Sequence, residues 1–182
     1  MEEKKNKPDE ILRVIQEDEQ SSKNGHLKIF FGYAAGVGKT YAMLKDANAA
    51  KRRGVDVVIG YVEPHARPQT AALTQNLECL SLMEDVYNGI ALKEFDLDAA
   101  LARRPQLILV DELAHTNAKG CRNRKRYQDV RELLRAGIDV YSTVNVQHIE
   151  SLNDMVASIT GVTVRERIPD EVQRRWQFSW TR

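Results

Sequence analysis

The sequence predicts an α/β chain in which a mainly parallel sheet is sandwiched between helices. Two observations carry this reading. Short apolar runs alternate with longer stretches of helical composition along the chain, as right-handed βαβ units require. The polar residues with chemical potential fall just after the apolar runs, at Gly36 to Thr40, Glu63, Asp111-Glu112 and Asn145. In an open parallel sheet that is the edge where ligands gather.

Taken in order, Asp9 to Gln20 follows Pro8 and places Ile11, Leu12 and Ile15 on one helical face, which predicts a short amphipathic helix. The polar stretch Glu19 to Gly25 reads as a linker. Leu27 to Phe31 is a compact apolar run closed by Gly32, suited to a buried strand. Lys39 to Arg53 reads as a helix stopped by Gly54. Val55 to Val62 is a second strand ended by Glu63-Pro64, and Thr70 to Leu82 a helix. Asp96 to Arg104 is a helix ended by Pro105, and Leu107 to Val110 is a strand that runs into Asp111-Glu112. Lys125 to Ala136 is a helix capped by Gly137, Ile138 to Val144 a strand, Ile149 to Ile159 a helix, and Val162 to Ile168 a last strand. No internal repeat or low-complexity segment interrupts this order.

Composition narrows the function. Apolar residues make up 42% and charged residues 29%, which suits a folded globular domain rather than a disordered chain. A net charge of +1 supplies no global field towards nucleic acid or membrane. The two cysteines, Cys79 and Cys121, form neither a CxxC unit nor a disulfide framework, and read as reduced thiols of a cytosolic protein. Neither a secretory signal nor a bilayer-spanning run is visible, so the polypeptide reads as soluble and cytoplasmic.

The chemistry begins at Gly36-Val37-Gly38-Lys39-Thr40. A strand, a Gly-rich turn and a helix starting near Gly38 give a GK[ST] triplet its meaning as a phosphate loop, or Walker A motif. Backbone N–H groups of such a turn converge on phosphate oxygens, and the helix N-terminus adds partial positive charge. Lys39 would reach the β- and γ-phosphates, and Thr40 would offer its hydroxyl to Mg2+. One such lysine–phosphate charge pair about 4 Å apart is worth roughly 4 kcal/mol at an effective dielectric near 20. The strict GxxxxGK[ST] pattern is not met, because Tyr33 stands at the first glycine's place and Gly32 lies one residue earlier. The candidate nucleotide-binding residues are Ala35, Gly36, Val37, Gly38, Lys39, Thr40, Tyr41 and Asn145.

Four apolar residues followed by Asp111 make a Walker B strand, whose carboxylate joins Thr40 as the candidate magnesium ligands. Glu112 is the candidate catalytic base, with a structural or signal-coupling carboxylate as the other reading. His115, three residues on, reads as a polar contact near the nucleotide or as a residue without a role, not as a metal ligand. Asn145 and Gln147 follow a strand and are candidates to sense the γ-phosphate. The basic cluster Arg122, Arg124, Lys125 and Arg126 reads first as a solvated helix start plus loop. A contact to the triphosphate or a partner is the second reading. With only Tyr127 adjacent, the aromatic interleaving of a nucleic-acid surface is missing.

The string from Ile29 to Leu44, Ile-Phe-Phe-Gly-Tyr-Ala-Ala-Gly-Val-Gly-Lys-Thr-Tyr-Ala-Met-Leu, resembles the N-terminal cytoplasmic domain of the KdpD potassium-sensor histidine kinase family. Gly60 to Pro68, Val110 to Asn117 and Asp139 to Asp154 resemble three further stretches of that family, and the likeness extends over roughly residues 8 to 172. The family also tolerates alanine or tyrosine in place of the first Walker A glycine. The resemblance implies a P-loop NTPase-type three-layer αβα domain that binds ATP and Mg2+ as a regulatory input, in a protein governing potassium uptake. It implies as partners the sensor kinase's own C-terminal domains and the response regulator KdpE, and a location on the cytoplasmic side of the membrane. Nucleic acid is not expected as a partner, nor membrane insertion by this chain. Gln69, Lys119 and Cys121 depart from the family pattern in small ways. The end departs more, with two tryptophans and three arginines between Gln173 and Arg182, and reads as a truncated or out-of-frame tail.

The expected organisation is an N-terminal helix and linker at 1–25, a nucleotide-binding domain at 26–172 and a divergent tail at 173–182. Without a kinase core, the chain is expected to have at most weak ATPase activity. An autonomous P-loop ATPase or small-molecule phosphotransferase, with Glu112 as base and Asn145 as sensor, is the alternative.

Overall fold

The computed structural model describes residues 24–32, 36–62, 68–87, 90–145 and 176–180. The expected helices at 9–20 and 149–159, the expected strand at 162–168, and Ala35, Glu63 and Gln147 lie outside them.

The described strands are β1 (Leu27–Gly32), β2 (Val57–Tyr61), β3 (Glu78–Cys79), β4 (Met83–Tyr87), β5 (Ile90–Glu94), β6 (Leu107–Val110), β7 (Asp139–Asn145) and β8 (Trp176–Trp180). The helices are α1 (Lys39–Arg52), α2 (Pro68–Thr74), α3 (Leu97–Arg103) and α4 (Arg126–Arg135). Six strands form one sheet in the order β3-β2-β6-β7-β1-β8, with every neighbouring pair parallel. The fold is therefore α/β with a mainly parallel sheet, as the alternation of elements predicts. The strand β7 sits between β1, which leads into the Gly-rich turn, and β6, which leads into Asp111.

The strands β1, β2 and β6 are buried on both faces, so their apolar runs are continuous, and the period of two splits each run between layers. Leu27, Ile29 and Phe31 of β1, with Ile108 and Val110 of β6, face a core closed by Leu97 and Ala100 of α3 and Val130, Leu133 and Leu134 of α4. Phe30, Leu107 and Leu109 face the other way, onto Met43, Leu44, Ala47 and Ala50 of α1. Two apolar clusters on opposite sides of one sheet are what makes the three layers.

The structure corrects the expected helix at 70–82. Helix α2 ends at Thr74, a turn closes with Leu77 N–H donating to Thr74 carbonyl (3.0 Å), and Glu78–Cys79 then adds a short parallel strand to β2. Tertiary partners override local propensity here. Leu77 is buried in the α1-side core, and Arg103 donates to both Glu78 and Asp56, tying the sheet edge to α3. The antiparallel hairpin β4–β5 lies outside the main sheet and was not anticipated. Residues 176–180, within the expected tail, pair in parallel with β1 as an edge strand.

Candidate functional site

Parallel pairing brings the carboxyl ends of β1, β6 and β7 to one edge of the sheet. The register sets Gly32 beside Asn145 and Leu109 beside Tyr141, so Asp111 emerges level with Thr143. Asn145 thus has its backbone at this edge.

After β1 the chain turns into α1 through two glycines with positive φ, Gly36 at 85° and Gly38 at 94°. Gly38 is the N-cap; having no side chain it supplies no cap, and the first helical turn contains no acidic residue. The partial positive charge of that helix end meets no carboxylate from the helix's own first turn. Helix α1 begins with Lys39, whose side chain folds back over β1. A Cβ on Gly32 would lie 2.7 Å from Lys39 Cγ and 2.8 Å from Cδ, so only glycine leaves room for the lysine stem. Gly32, one place early for the strict motif, has a packing role of its own.

Lys39 is 8% exposed, and burial lowers its pKa from the ordinary 10.5 while Asp111 and Glu112 pull it back up. A desolvated ammonium near two carboxylates gains from a further anion. Thr40 and Asp111 meet directly, with the threonine Oγ1 donating to Asp111 Oδ2 at 3.0 Å. Gly36 and Tyr41 are exposed, Val37 is half-buried, and Tyr41 is the one large hydrophobic side chain exposed among the described residues.

Asp111 is 1% exposed and over-determined. Its N–H donates to the Tyr61 carbonyl (2.8 Å), its carbonyl accepts from Arg126 Nη1 (3.2 Å), and Oδ1 accepts from the Glu112 N–H (3.1 Å) and the Thr143 hydroxyl. Thr143 Oγ1 also accepts from the Glu112 N–H at 3.2 Å. Glu112 occupies the left-handed region at φ 57° and its side chain is exposed. A non-glycine residue there costs about 1–2 kcal/mol. The hydrogen bonds around Asp111 hold that turn and leave Glu112 facing solvent beside the buried carboxylate.

The reading of the basic cluster as solvated needs correction at Arg126, which has no solvent exposure. Its Nη2 donates to Glu94 Oε2 (2.9 Å), its guanidinium lies 4.0 Å from the Tyr61 ring centre, and its N–H donates to the His115 carbonyl (3.1 Å). His115 likewise has a definite partner, Nε2 lying 3.0 Å from Glu94 Oε1. A carboxylate only accepts, so Nε2 carries the hydrogen. The rest of the cluster is superficial: Arg122 pairs with Asp98 and Glu132, and Lys125 donates to the Thr116 hydroxyl at 2.6 Å.

Thr143 and Glu94 are the residues of this edge that sequence reasoning missed, and Arg126 is one that it placed in solvent. A threonine near the carboxyl end of an expected parallel strand, the edge where ligands gather, was a usable signal for Thr143. Nothing local marks Glu94, which ends a hairpin distant in the chain from its partners His115, Ala118 and Arg126.

With this geometry in view, comparison with known proteins is direct. The family model described as "KdpD: Osmosensitive K+ channel His kinase sensor domain" matches residues 23–177. The chain belongs to the KdpD family. The sensor protein KdpD of Clostridium acetobutylicum is 61% identical over 162 residues, covering 89% of this chain. That of Escherichia coli is 56% identical over 163 residues, covering 90% of this chain. The Mycobacterium tuberculosis KdpD is 52% identical over 154 residues, covering 85%. In each case the match spans only 18% of the relative's length, so the chain corresponds to one part of a longer KdpD architecture. No described helix is long and apolar enough to cross a membrane.

Proposed function

We propose that this domain binds ATP with Mg2+ at the carboxyl edge of its sheet and acts as a regulatory input module of a KdpD-type sensor histidine kinase. The observation that carries the reading is the contact between Thr40 Oγ1 and Asp111 Oδ2, which joins the helix after the Gly-rich turn to the end of a strand two places away in the sheet. A hydroxyl and a buried carboxylate brought together beside a desolvated lysine suit a hard cation with oxygen ligands. Among the described residues, Gly36, Val37, Gly38, Lys39 and Thr40 would hold the phosphates, and Thr40 and Asp111 the cation. Magnesium, when bound, neutralises phosphate charge and orders the phosphate oxygens. Tyr41, exposed in the first turn of α1, would flank the phosphates, and β7 brings the backbone of Asn145 to the same edge.

As a KdpD relative, the domain would report nucleotide state to the C-terminal parts of its sensor kinase, and so to the response regulator KdpE, from the cytoplasmic side of the membrane. Differential scanning with and without ATP–Mg tests the reading. At ligand a hundredfold above Kd, about 2.7 kcal/mol of stabilisation is expected. The absence of any shift at millimolar ATP–Mg would overturn it.

One observation favours a second reading, turnover. Glu112 is exposed, next to Asp111, and held in a left-handed turn, as a base poised to orient a water would be. Steady-state phosphate release by wild type and Glu112→Gln separates the readings. Measurable release that falls with the substitution favours an ATPase or phosphotransferase, and negligible release in both favours a binding module.

A further inference from the structure

We propose that Glu94 and Arg126 are positioning residues for the cation end of this site, so that magnesium affinity is set partly from the β4–β5 hairpin. The inference rests on the nucleotide-binding reading above.

The two sides of the site are built differently. The turn at 36–40 is carried by β1 and α1, whereas Glu94 ends β5 and Arg126 begins α4. Asp111 is held through its own peptide, whose carbonyl accepts from Arg126 Nη1 while Nη2 donates to Glu94. Both side chains are out of water, Arg126 at 0% and Glu94 at 5% exposure. Among the described residues Arg126 Nε has no hydrogen-bond partner, and the guanidinium is held by its two terminal nitrogens and its stacking on Tyr61.

Glu94 gathers the segment that follows Asp111. Its Oε1 accepts from the Ala118 N–H (3.0 Å) and from His115, and its Oε2 from Arg126. The same segment closes on itself where Arg126 N–H meets the His115 carbonyl and Asn117 N–H the Arg124 carbonyl. One buried carboxylate at the end of β5 therefore fixes residues 111–126 from below. A carboxylate that binds a cation gains affinity from partners that hold its orientation, and loss of such a partner typically costs about 10–100-fold in metal affinity.

The test titrates Mg2+ into the wild-type domain, Glu94→Gln and Arg126→Met, each saturated with ATP, and measures ATP binding in EDTA alongside. The expected result is an Mg2+ affinity lowered about 10–100-fold in both variants, with metal-free ATP binding within about twofold of wild type. Unchanged Mg2+ affinity in a folded variant would overturn the proposal, as would equal losses with and without the metal. If neither variant folds, hydrogen exchange on the wild type decides. Added Mg2+, compared with ATP in EDTA, should slow exchange across 113–126, including Ala118 and Arg126, and no change there would refute the coupling. Absence of any ATP binding by wild type would instead refute the nucleotide reading itself.

Discussion

The turn at residues 36–40 and the segment at 111–126 meet where Thr40 donates to Asp111, yet they are specified in different ways. The first is local: two positive-φ glycines, a helix start and a lysine stem laid over Gly32 all come from one stretch of chain. The second is assembled from β2, β5, β6, β7 and α4, with Tyr61, Glu94, Asp111, Thr143 and Arg126 each drawn from a different element. A local motif tolerates change elsewhere in the protein. A distributed one fails with any distant partner, and its failures appear first as lost stability.

The largest expected effect breaks the distributed side. Arg126→Met leaves the buried Glu94 without its charge partner and should lower stability by about 3–5 kcal/mol, measured as the denaturant midpoint at unchanged slope. On the local side, Lys39→Ala should leave the unliganded domain folded and remove the roughly 2.7 kcal/mol of stabilisation expected from a hundredfold excess of ATP–Mg. The contrast is the point: one substitution costs stability, the other costs ligand response. If Lys39→Ala retained the full thermal shift, the local side would have no claim to the phosphates.

Thr143→Val keeps the shape but leaves Asp111 Oδ1 and the Glu112 N–H each one partner short. A loss of about 1–3 kcal/mol is expected in urea unfolding. Lys39 also predicts a pH effect. Its folded pKa lies below the unfolded 10.5, so the folded state sheds this proton first, and stability gains as pH rises through the interval between the two values. Bound phosphate favours the charged lysine and should reverse the gain. ATP–Mg binding on the alkaline side should therefore take up protons, seen as a dependence of the calorimetric heat on buffer ionisation enthalpy, and Lys39→Met should abolish the uptake. The smallest effect belongs to the surface: Arg122→Ala removes exposed pairs with Asp98 and Glu132 and should change stability by less than about 1 kcal/mol.

Legibility in the sequence followed the same division. The strands Leu27–Gly32 and Leu107–Val110 and the helices at 39–52 and 126–135 were readable because doubly buried parallel strands leave continuous apolar runs and the helices end at glycines. Thr40 and Asp111 could each be singled out in the sequence, since a Gly-rich turn before a helix and an acid after an apolar run have recognisable forms, and the structure brings the two within hydrogen-bond distance. The helix expected at 70–82 failed beyond Thr74 because Leu77 and Glu78 are fixed by partners on α1's core and on α3, which no local window contains. Arg126 failed for a related reason. An arginine among arginines looks solvated until β5 is seen to bring Glu94 beneath it.

Nucleotide binding at the edge shared by these two regions is the central expectation. Calorimetric titration of the domain with ATP in the presence and absence of Mg2+, repeated on Lys39→Ala, tests it most directly. The account predicts saturable binding by wild type that Mg2+ strengthens and that Lys39→Ala abolishes. Equal binding by wild type and Lys39→Ala, or no binding by either, would contradict it.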